Sequence, residues 1–163
     1  MRRAIEAHLG TRQVARVIYG AIIGLALVVA LKAHPPSSAA MIGSLVGTAI
    51  AVALAELYSE VLGTETRLRR RVRSREIAPM LGEVAAVTFG VSFPAVFFVL
   101  SALGAIDRDT AFVLAEWTGV GLIAFYGVCA GRLAGERWLP SLLHGLAAGA
   151  VAAALILLKA LLH

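Results

Sequence analysis

Cysteine is almost absent from the chain: Cys129 stands alone, with no second thiol to pair with it. A disulfide within the chain and a metal site built on several thiolates are therefore excluded. The motifs of soluble enzymes are missing too, since there is no GxSxG, no HExxH and no phosphate-binding glycine loop. We expect neither an enzyme activity nor a resident cofactor.

Charged residues are also scarce, at 15% of the chain, whereas 60% is hydrophobic and the mean hydropathy is +0.86. These values are far outside the range of a soluble domain. Because unpaired backbone groups are too costly in lipid, apolar stretches of about 20 residues predict transmembrane helices. Five such stretches fill the chain, at about 14–31, 39–63, 78–103, 110–131 and 139–162. The sequence thus predicts an all-α integral membrane protein with five transmembrane helices in a single membrane domain, 1–163.

The first apolar stretch has two interpretations. Arg2, Arg3 and Arg12 precede it and small residues follow it, as in a cleaved signal peptide. Its apolar part is long for a signal peptide, however, and Pro35 and Pro36 are typical of a tight turn that leads into the next span. We expect a retained helix, with cleavage as the alternative.

Basic residues are unevenly distributed between the two sides that five spans define. Twelve fall on the side of the N-terminus and three on the other, so the positive-inside rule makes the N-terminus cytoplasmic. An odd number of spans then places the C-terminus, His163, outside. Arginine outnumbers lysine thirteen to two, and we expect a multi-pass protein of a cell membrane, in particular a bacterial inner membrane. The twelve are Arg2, Arg3, Arg12, Arg16, Arg67, Arg69, Arg70, Arg71, Arg73, Arg75, Arg132 and Arg137, against Lys32, Arg108 and Lys159.

Six of the arginines form one run between the second and third apolar stretches. A net charge of +5 would suit a protein that binds nucleic acid. This run, however, has no interleaved aromatic residues and no folded module to present it. A cytoplasmic loop that faces anionic lipid explains the run better. We therefore predict the lipid bilayer, and not nucleic acid, as its partner. The run consists of Arg67, Arg69, Arg70, Arg71, Arg73 and Arg75.

Glycines recur at the four-residue spacing that lets membrane helices approach closely. This spacing predicts a compact bundle and a homo-oligomer, although glycine is also simply common in membrane helices. Pro94, in the middle of the third stretch, predicts a kink because it removes one backbone hydrogen bond. The spaced glycines are Gly20/Gly24, Gly43/Gly47, Gly127/Gly131/Gly135 and Gly145/Gly149.

Ionisable residues inside the apolar stretches are costly, and they point to function. At 1.5 Å of rise per residue, Glu56 lies roughly 7 Å and Glu60 roughly 13 Å from the centre of the second span. Glu83 lies roughly 12 Å from the centre of the third span, and His144 roughly 8 Å from that of the fifth. All four fall in the predicted cytoplasmic half, and Glu56 and Glu60 share one helix face.

Two carboxylates on one face repel each other. A bound cation, protonation of one carboxylate, or an arginine from the run at 67–75 would relieve the repulsion. Carboxylates together with an imidazole are suitable ligands for ions such as Mn(II) and Fe(II). We therefore predict a metal-ion site formed by Glu56, Glu60, Glu83 and His144, with snorkelling or arginine pairing as the alternative.

Glu116 lies apart from this set, roughly 7 Å toward the outside in the fourth span. It is a candidate for an outer part of an ion path. The alternative is a shallow interface position, which the neighbouring Trp117 and the charged residues at 107–109 indicate.

Several segments resemble the vacuolar iron transporter family. The segment Val87-Thr-Phe-Gly-Val-Ser-Phe-Pro-Ala-Val-Phe-Phe is similar to that family's third helix, where a glycine-containing Ser-Phe stretch leads to a proline, here Pro94. The stretch 121–135 and the small-residue helix from Gly145 look like its last two helices. The segment Ala55-Glu-Leu-Tyr-Ser-Glu-Val-Leu-Gly63 resembles the acidic end of its second helix, with Glu60 where the family has methionine.

The chain departs from that family in two places. The family's first helix carries an aspartate in the ion path, whereas Tyr19-Gly-Ala-Ile-Ile-Gly24 contains no acidic residue. The family's long glutamate-rich cytoplasmic helices are replaced here by the short arginine run. The resemblance therefore implies a five-span fold, and a dimer with a path near the first helices, more than it implies an activity.

From these features we expect a small membrane transporter of divalent metal ions, iron or manganese, that exchanges them for protons. The alternative is a non-transporting accessory or scaffold subunit that packs through its GxxxG faces. A third option is a carrier of an organic cation. The hypotheses differ in the role of the glutamates, which are ligands in a transporter and structural groups in a scaffold.

Overall fold

The computed structural model describes the backbone of residues 2–162 and the side chains of residues 13–158. Over this backbone the chain forms six helices and no strand, which confirms the all-helical class. The side chains of Arg2, Arg3, Arg12, Lys159 and His163, which entered the prediction of orientation, lie outside the described residues. The helices are α1 (Arg2–Lys32), α2 (Ser38–Leu68), α3 (Ser74–Ser92), α4 (Ala95–Ala102), α5 (Arg108–Leu133) and α6 (Trp138–Leu162).

Four helices are long and apolar enough to cross a membrane, namely α1 within Gln13–Lys32, α2, α5, and α6 within Trp138–Leu158. The helices α3 and α4 meet the same criterion only together, as a pair bent by 49°. By length and composition the chain therefore has the features of a multi-pass membrane protein. These helices provide four candidate spans, or five if the bent pair makes one crossing.

The bend between α3 and α4 lies at Pro94, where the sequence predicts a kink. Proline has no N–H to donate and its ring clashes with the preceding turn, so the helix cannot continue straight. Before the bend, Phe93 N–H donates to Phe89 O at 2.9 Å, as in an α-helix; after it, Val96 N–H donates to Phe93 O at 3.3 Å, as in a tighter turn. The predicted span 78–103 is thus two helices.

Glycines bring α1 and α3 into backbone contact. A Cβ added to Gly20 would overlap the carbonyl of Val87, and one added to Gly24 would lie 2.6 Å from Val91 O. From the other side, a Cβ on Gly90 would meet the α1 backbone. No side chain fits at these three positions, so α1 and α3 form one closely packed pair.

The helices α5 and α6 form a second glycine-packed pair. A Cβ on Gly127 would lie 2.9 Å from Gly145 Cα, and one on Gly131 would lie 2.8 Å from Ser141 Cα. Gly135 does not extend this contact, contrary to its place in the predicted series. It follows the end of α5 with φ of +82°, a left-handed conformation that glycine adopts without strain, and so it terminates the helix.

The bundle has two ends, which we name after basic residues of α1. At the Lys32 end, Arg108 at the start of α5 approaches the carbonyls of Pro35 and Pro36, and Ser38 Oγ lies 2.9 Å from Ser101 Oγ. The Arg16 end holds the α2–α3 and α5–α6 connections. A buried apolar core lies toward the Lys32 end and consists of Val28, Met41, Leu45, Ala95, Phe98, Ala111, Phe112 and Ala115.

Most of α2 lies outside this core. Its buried residues are Met41, Leu45 and Ala49 near the Lys32 end and Thr64 near the Arg16 end. A Cβ added to Gly43, Gly47 or Gly63 would meet no atom within 4 Å. These glycines belong to an exposed row of small residues, which we call the open face of α2: Gly43, Gly47, Ala51, Ala55, Ser59 and Gly63.

Candidate functional site

One arginine of α1 contacts carboxylates from two other helices. The guanidinium of Arg16 forms ion pairs with Glu56 and Glu60 of α2 and with Glu83 of α3. Its Nη1 contacts Glu56 Oε1, and its Nη2 lies 3.7 Å from Glu60 Oε2. Its Nε and Nη2 each donate to Glu83 Oε2 at 3.3 Å. We call these four side chains the Arg16 cluster.

Most of the side-chain surface of the Arg16 cluster is buried. The exposed fraction of the side chain is 10% for Glu83 and 16% for Glu56, and it rises to 28% for Glu60 and 29% for Arg16. The planar fork of a guanidinium can serve several carboxylates at once, which an ammonium does less well. With every group ionised, one positive and three negative charges leave these four side chains with a formal charge of −2.

The packing of α1 on α3 sets the position of the cluster. The two helices run in the same direction, and Gly20 and Gly24 contact residues 67 positions further along the chain, Val87 and Val91. Arg16 and Glu83 are also 67 positions apart, so their ion pair lies one turn before the first glycine contact in the same register. Glu56 and Glu60 complete the cluster because residues four apart point to one side of α2.

Three of the four predicted site residues therefore come together in space, while their metal binding stays a prediction. The arginine that joins them is not from the run at 67–75 but from α1. The charge count groups Arg16 with the basic residues on the side of the N-terminus, although it falls inside the first apolar stretch, 14–31. A basic residue within a predicted span was the signal that could have identified it.

The fourth predicted residue, His144, lies elsewhere. Its Nδ1 is 2.8 Å from Glu136 Oε2, an exposed pair at the α5–α6 connection. Among the residues whose side chains the structure describes, no group of three or more histidine, cysteine, aspartate or glutamate side chains is arranged to hold a metal ion. The glutamates of the Arg16 cluster are arranged around a guanidinium instead.

A second ion pair, between an exposed lysine and a buried glutamate, lies at the Lys32 end. Lys32 Nζ lies 2.6 Å from Glu116 Oε2, and the glutamate side chain is only 7% exposed. Glu116 is thus a buried partner of α1, while its place on an ion path or at the membrane interface stays a prediction. The helix α1 is consequently joined to its neighbours by one ion-pair site near each end of its apolar stretch.

The α2–α3 connection, which carries the arginine run, is held by two glutamates. Glu65 Oε1 accepts a hydrogen bond from Val72 N–H at 3.0 Å, and Glu76 accepts one from Arg73 N–H at 2.8 Å. Arg70 donates to both oxygens of Glu76, and this hydrogen bond raises the pKa of Arg70. All six arginines of the run are exposed, so the connection presents positive charge around a fixed turn.

Comparisons of the chain with protein-family models, with curated proteins and with solved structures find no match. The resemblance to the vacuolar iron transporter family stays a prediction from the sequence.

Proposed function

We propose that this chain transports divalent metal ions such as Fe(II) and Mn(II) across a cell membrane in exchange for protons. The convergence of Glu56, Glu60 and Glu83 on one point inside the bundle is the observation that supports this proposal. Buried ionisable groups are expensive in a membrane, and by default they indicate an ion or proton pathway. Carboxylate oxygens are ligands that these metal ions accept.

In the proposed mechanism, Arg16 supplies the positive charge at the site while no transported cation is bound. Its guanidinium partly neutralises the three carboxylates, which would otherwise repel one another. A divalent ion supplies more positive charge than one guanidinium and can replace it. Protons on the glutamates serve the same purpose on the return step, and this couples the two movements in opposite directions.

The proposed topology has five spans, with α3 and α4 making one bent crossing. The Arg16 end is cytoplasmic, because most basic residues of the chain gather there under the positive-inside rule. The Arg16 cluster is then the cytoplasmic ion site. Glu116, paired with Lys32 at the other end of α1, is the proposed outer part of the path.

Uptake of Mn(II) into proteoliposomes, with the native protein and a Glu56→Gln, Glu60→Gln variant, tests the assignment of the residues. We expect uptake by the native protein and loss of uptake in the variant. A Glu65→Gln, Glu76→Gln variant is the matched control, since it removes two carboxylates from the same end without touching Arg16. Equal uptake by all three proteins would overturn the assignment.

The second candidate is a scaffold subunit that assembles through helix packing. The open face of α2 favours it, because six small residues at four-residue spacing remain exposed there. In α1 and α3, by contrast, glycines of the same kind are used within the chain. Small residues at this spacing are the usual contact surface between membrane helices.

A further inference from the structure

A groove between α1, α3 and α5 lies at the Arg16 end of the bundle, and no residue of α2 lines it. Its volume is about 340 Å³, within the range of ligand pockets. The groove is open to the outside of the bundle, where a membrane protein meets lipid. Its lining includes the apolar residues Val17, Gly82, Ala86 and Phe89 and the polar residues Gln13 and Tyr126.

The glycine in this lining has a different role from Gly90, further along α3. A Cβ at Gly90 would overlap the backbone of α1, so that glycine serves the packing of two helices. A Cβ at Gly82 would meet, within 4 Å, the end of one flexible side chain, Gln13 Nε2 at 3.4 Å. The small residue at 82 therefore leaves space in the groove and does not bring two backbones together.

Positive charge continues the line of the groove toward the start of α3. Arg75 lies seven residues before Gly82, which is close to two full turns, so both residues belong to the same face of α3. Arg75 is exposed, and its neighbour Glu76 binds Arg70 with both carboxylate oxygens. An anionic group above the groove would therefore meet an arginine whose neighbouring carboxylate is already engaged.

The dimensions of this face match one leaflet of a bilayer. At 1.5 Å of rise per residue, Gly82 lies about 10 Å and Phe89 about 21 Å beyond Arg75 along α3. Half of a bilayer that is about 40–45 Å thick with its headgroups is about 20–22 Å. With Arg75 at the headgroups, the groove from Gly82 to Phe89 lies at the depth of the acyl chains.

The groove is too narrow for a helix of a second copy. A volume of about 340 Å³ over the length of about 10 Å from Gly82 to Phe89 corresponds to a cross-section of about 34 Å². A helix about 10 Å across needs about 80 Å². An extended hydrocarbon chain is thinner and fits the shape better.

We propose that this groove binds one anionic phospholipid. Arg75 binds its phosphate, the side-chain amide of Gln13 donates to an ester carbonyl below, and one acyl chain lies along Val17, Ala86 and Phe89. Charge complementarity above the groove and its apolar lining support this occupant together. The lipid site is separate from the Arg16 cluster and does not depend on the proposed transport.

Native mass spectrometry of the detergent-purified protein, titrated with phosphatidylglycerol or with phosphatidylcholine of the same acyl chains, tests the headgroup part of the site. We expect the first phosphatidylglycerol to bind about fivefold more tightly than phosphatidylcholine, since one arginine near a membrane surface contributes about 1 kcal/mol toward anionic lipid. Arg75→Gln should remove this preference. Arg67→Gln is the matched control, because it removes the same charge from the end of α2, and it should retain the preference.

Filling the groove tests the acyl-chain part of the site. Gly82→Leu or Ala86→Phe should weaken the first binding of both lipids at least about tenfold, since two displaced methylene groups at about 0.8 kcal/mol each account for that much. Either variant is sufficient if it is monodisperse with native helix content. Gly121→Leu is the matched control, because Gly121 has open space around it and does not line the groove.

Fluorescence quenching locates the bound chain while the groove stays open. A Phe89→Trp protein, in which Trp117 and Trp138 are replaced by phenylalanine, carries its one tryptophan at the groove. Phosphatidylglycerol with brominated acyl chains should quench this tryptophan at a lower mole fraction than brominated phosphatidylcholine. Adding Arg75→Gln should make the two lipids equal.

Equal binding of the two lipids by the native protein, or unchanged binding after the groove is filled, would overturn the proposal. An equal loss of preference in Arg67→Gln and Arg75→Gln would also overturn it, because it would indicate a diffuse attraction by surface charge. A native dimer that binds no lipid and becomes a monomer in Gly82→Leu would assign the groove to a second copy instead. These results are independent of Mn(II) uptake.

Discussion

Gly90 of α3 lies directly against the backbone of Val17 of α1, the residue that follows Arg16. A Cβ at Gly90 would lie 2.6 Å from the nitrogen of Ala21, a distance that real structures do not contain. The absence of this one carbon therefore allows the approach of α1 and α3 that places Arg16 beside Glu83. Packing and electrostatics at the candidate site have a common origin in this contact.

Replacing Gly90 with alanine should destabilise the protein by about 1–3 kcal/mol, because two backbones must move apart to admit the methyl group. Gly43→Ala is the matched control, since a Cβ there meets nothing within 4 Å. Alanine is the better helix former, so this change should be neutral or slightly stabilising. Thermal unfolding in detergent measures the stability of both variants. Equal shifts in their unfolding temperatures would contradict the close contact.

Removing Arg16 should cost about 2 kcal/mol, because it leaves three partly buried carboxylates without their guanidinium. Glu56→Gln in the same background should cost less than it does in the native protein, since the pair is already broken. A double-mutant cycle on unfolding free energies measures this coupling. The exposed Arg70–Glu76 pair is the comparison, for which we expect a smaller coupling, below about 1 kcal/mol. Additive effects of Arg16 and Glu56 would mean that they do not interact.

The scaffold alternative makes its own prediction for the open face of α2. If chains assemble through this face, Gly47→Leu should convert an oligomer to a monomer, because the larger side chain keeps the helices apart. Gly121→Leu in α5 is the matched control, as Gly121 also has open space around it. Native mass spectrometry gives the oligomeric state. The same state for both variants and the native protein would remove the open face as an interface.

The arginine run should stabilise the protein in anionic lipid. Arg67, Arg69, Arg71, Arg73 and Arg75 are exposed, and Arg70 is already paired with Glu76. We expect a higher unfolding temperature in nanodiscs with phosphatidylglycerol than with phosphatidylcholine alone, and a smaller difference at high salt. Changing the other five arginines to glutamine should abolish the difference. A difference of the same size in that variant would exclude the run as its cause.

Much of the fold is predictable from hydropathy and from single residues. Five apolar stretches coincide with α1, α2, the α3–α4 pair, α5 and α6, and Pro94 marks the break. The second apolar stretch ends at Gly63, whereas the backbone hydrogen bonding of α2 continues to Leu68. Hydropathy indicates which part of a helix suits lipid and carries no information on where its hydrogen bonds stop.

The site was less predictable, because it depends on which helices touch. The i and i+4 spacing of Glu56 and Glu60 is visible in the sequence, but their partner in α1 is not. The pairs Gly20/Gly24 and Gly43/Gly47 have the same spacing, yet the first is packed against α3 and the second is open. Only the register of α1 on α3 selects Arg16, and not the arginines at 67–75, as the counter-charge.

The most direct test of the proposed function is Mn(II) uptake by the native protein in proteoliposomes with opposite pH gradients, followed together with a trapped pH indicator. We predict faster Mn(II) uptake when protons can leave the vesicle interior down their gradient. Proton efflux should accompany the Mn(II) uptake. Protein-free vesicles set the background. Uptake no greater than this background under both gradients, by protein shown to be folded, would contradict the account and leave the scaffold and the organic-cation carrier as the alternatives.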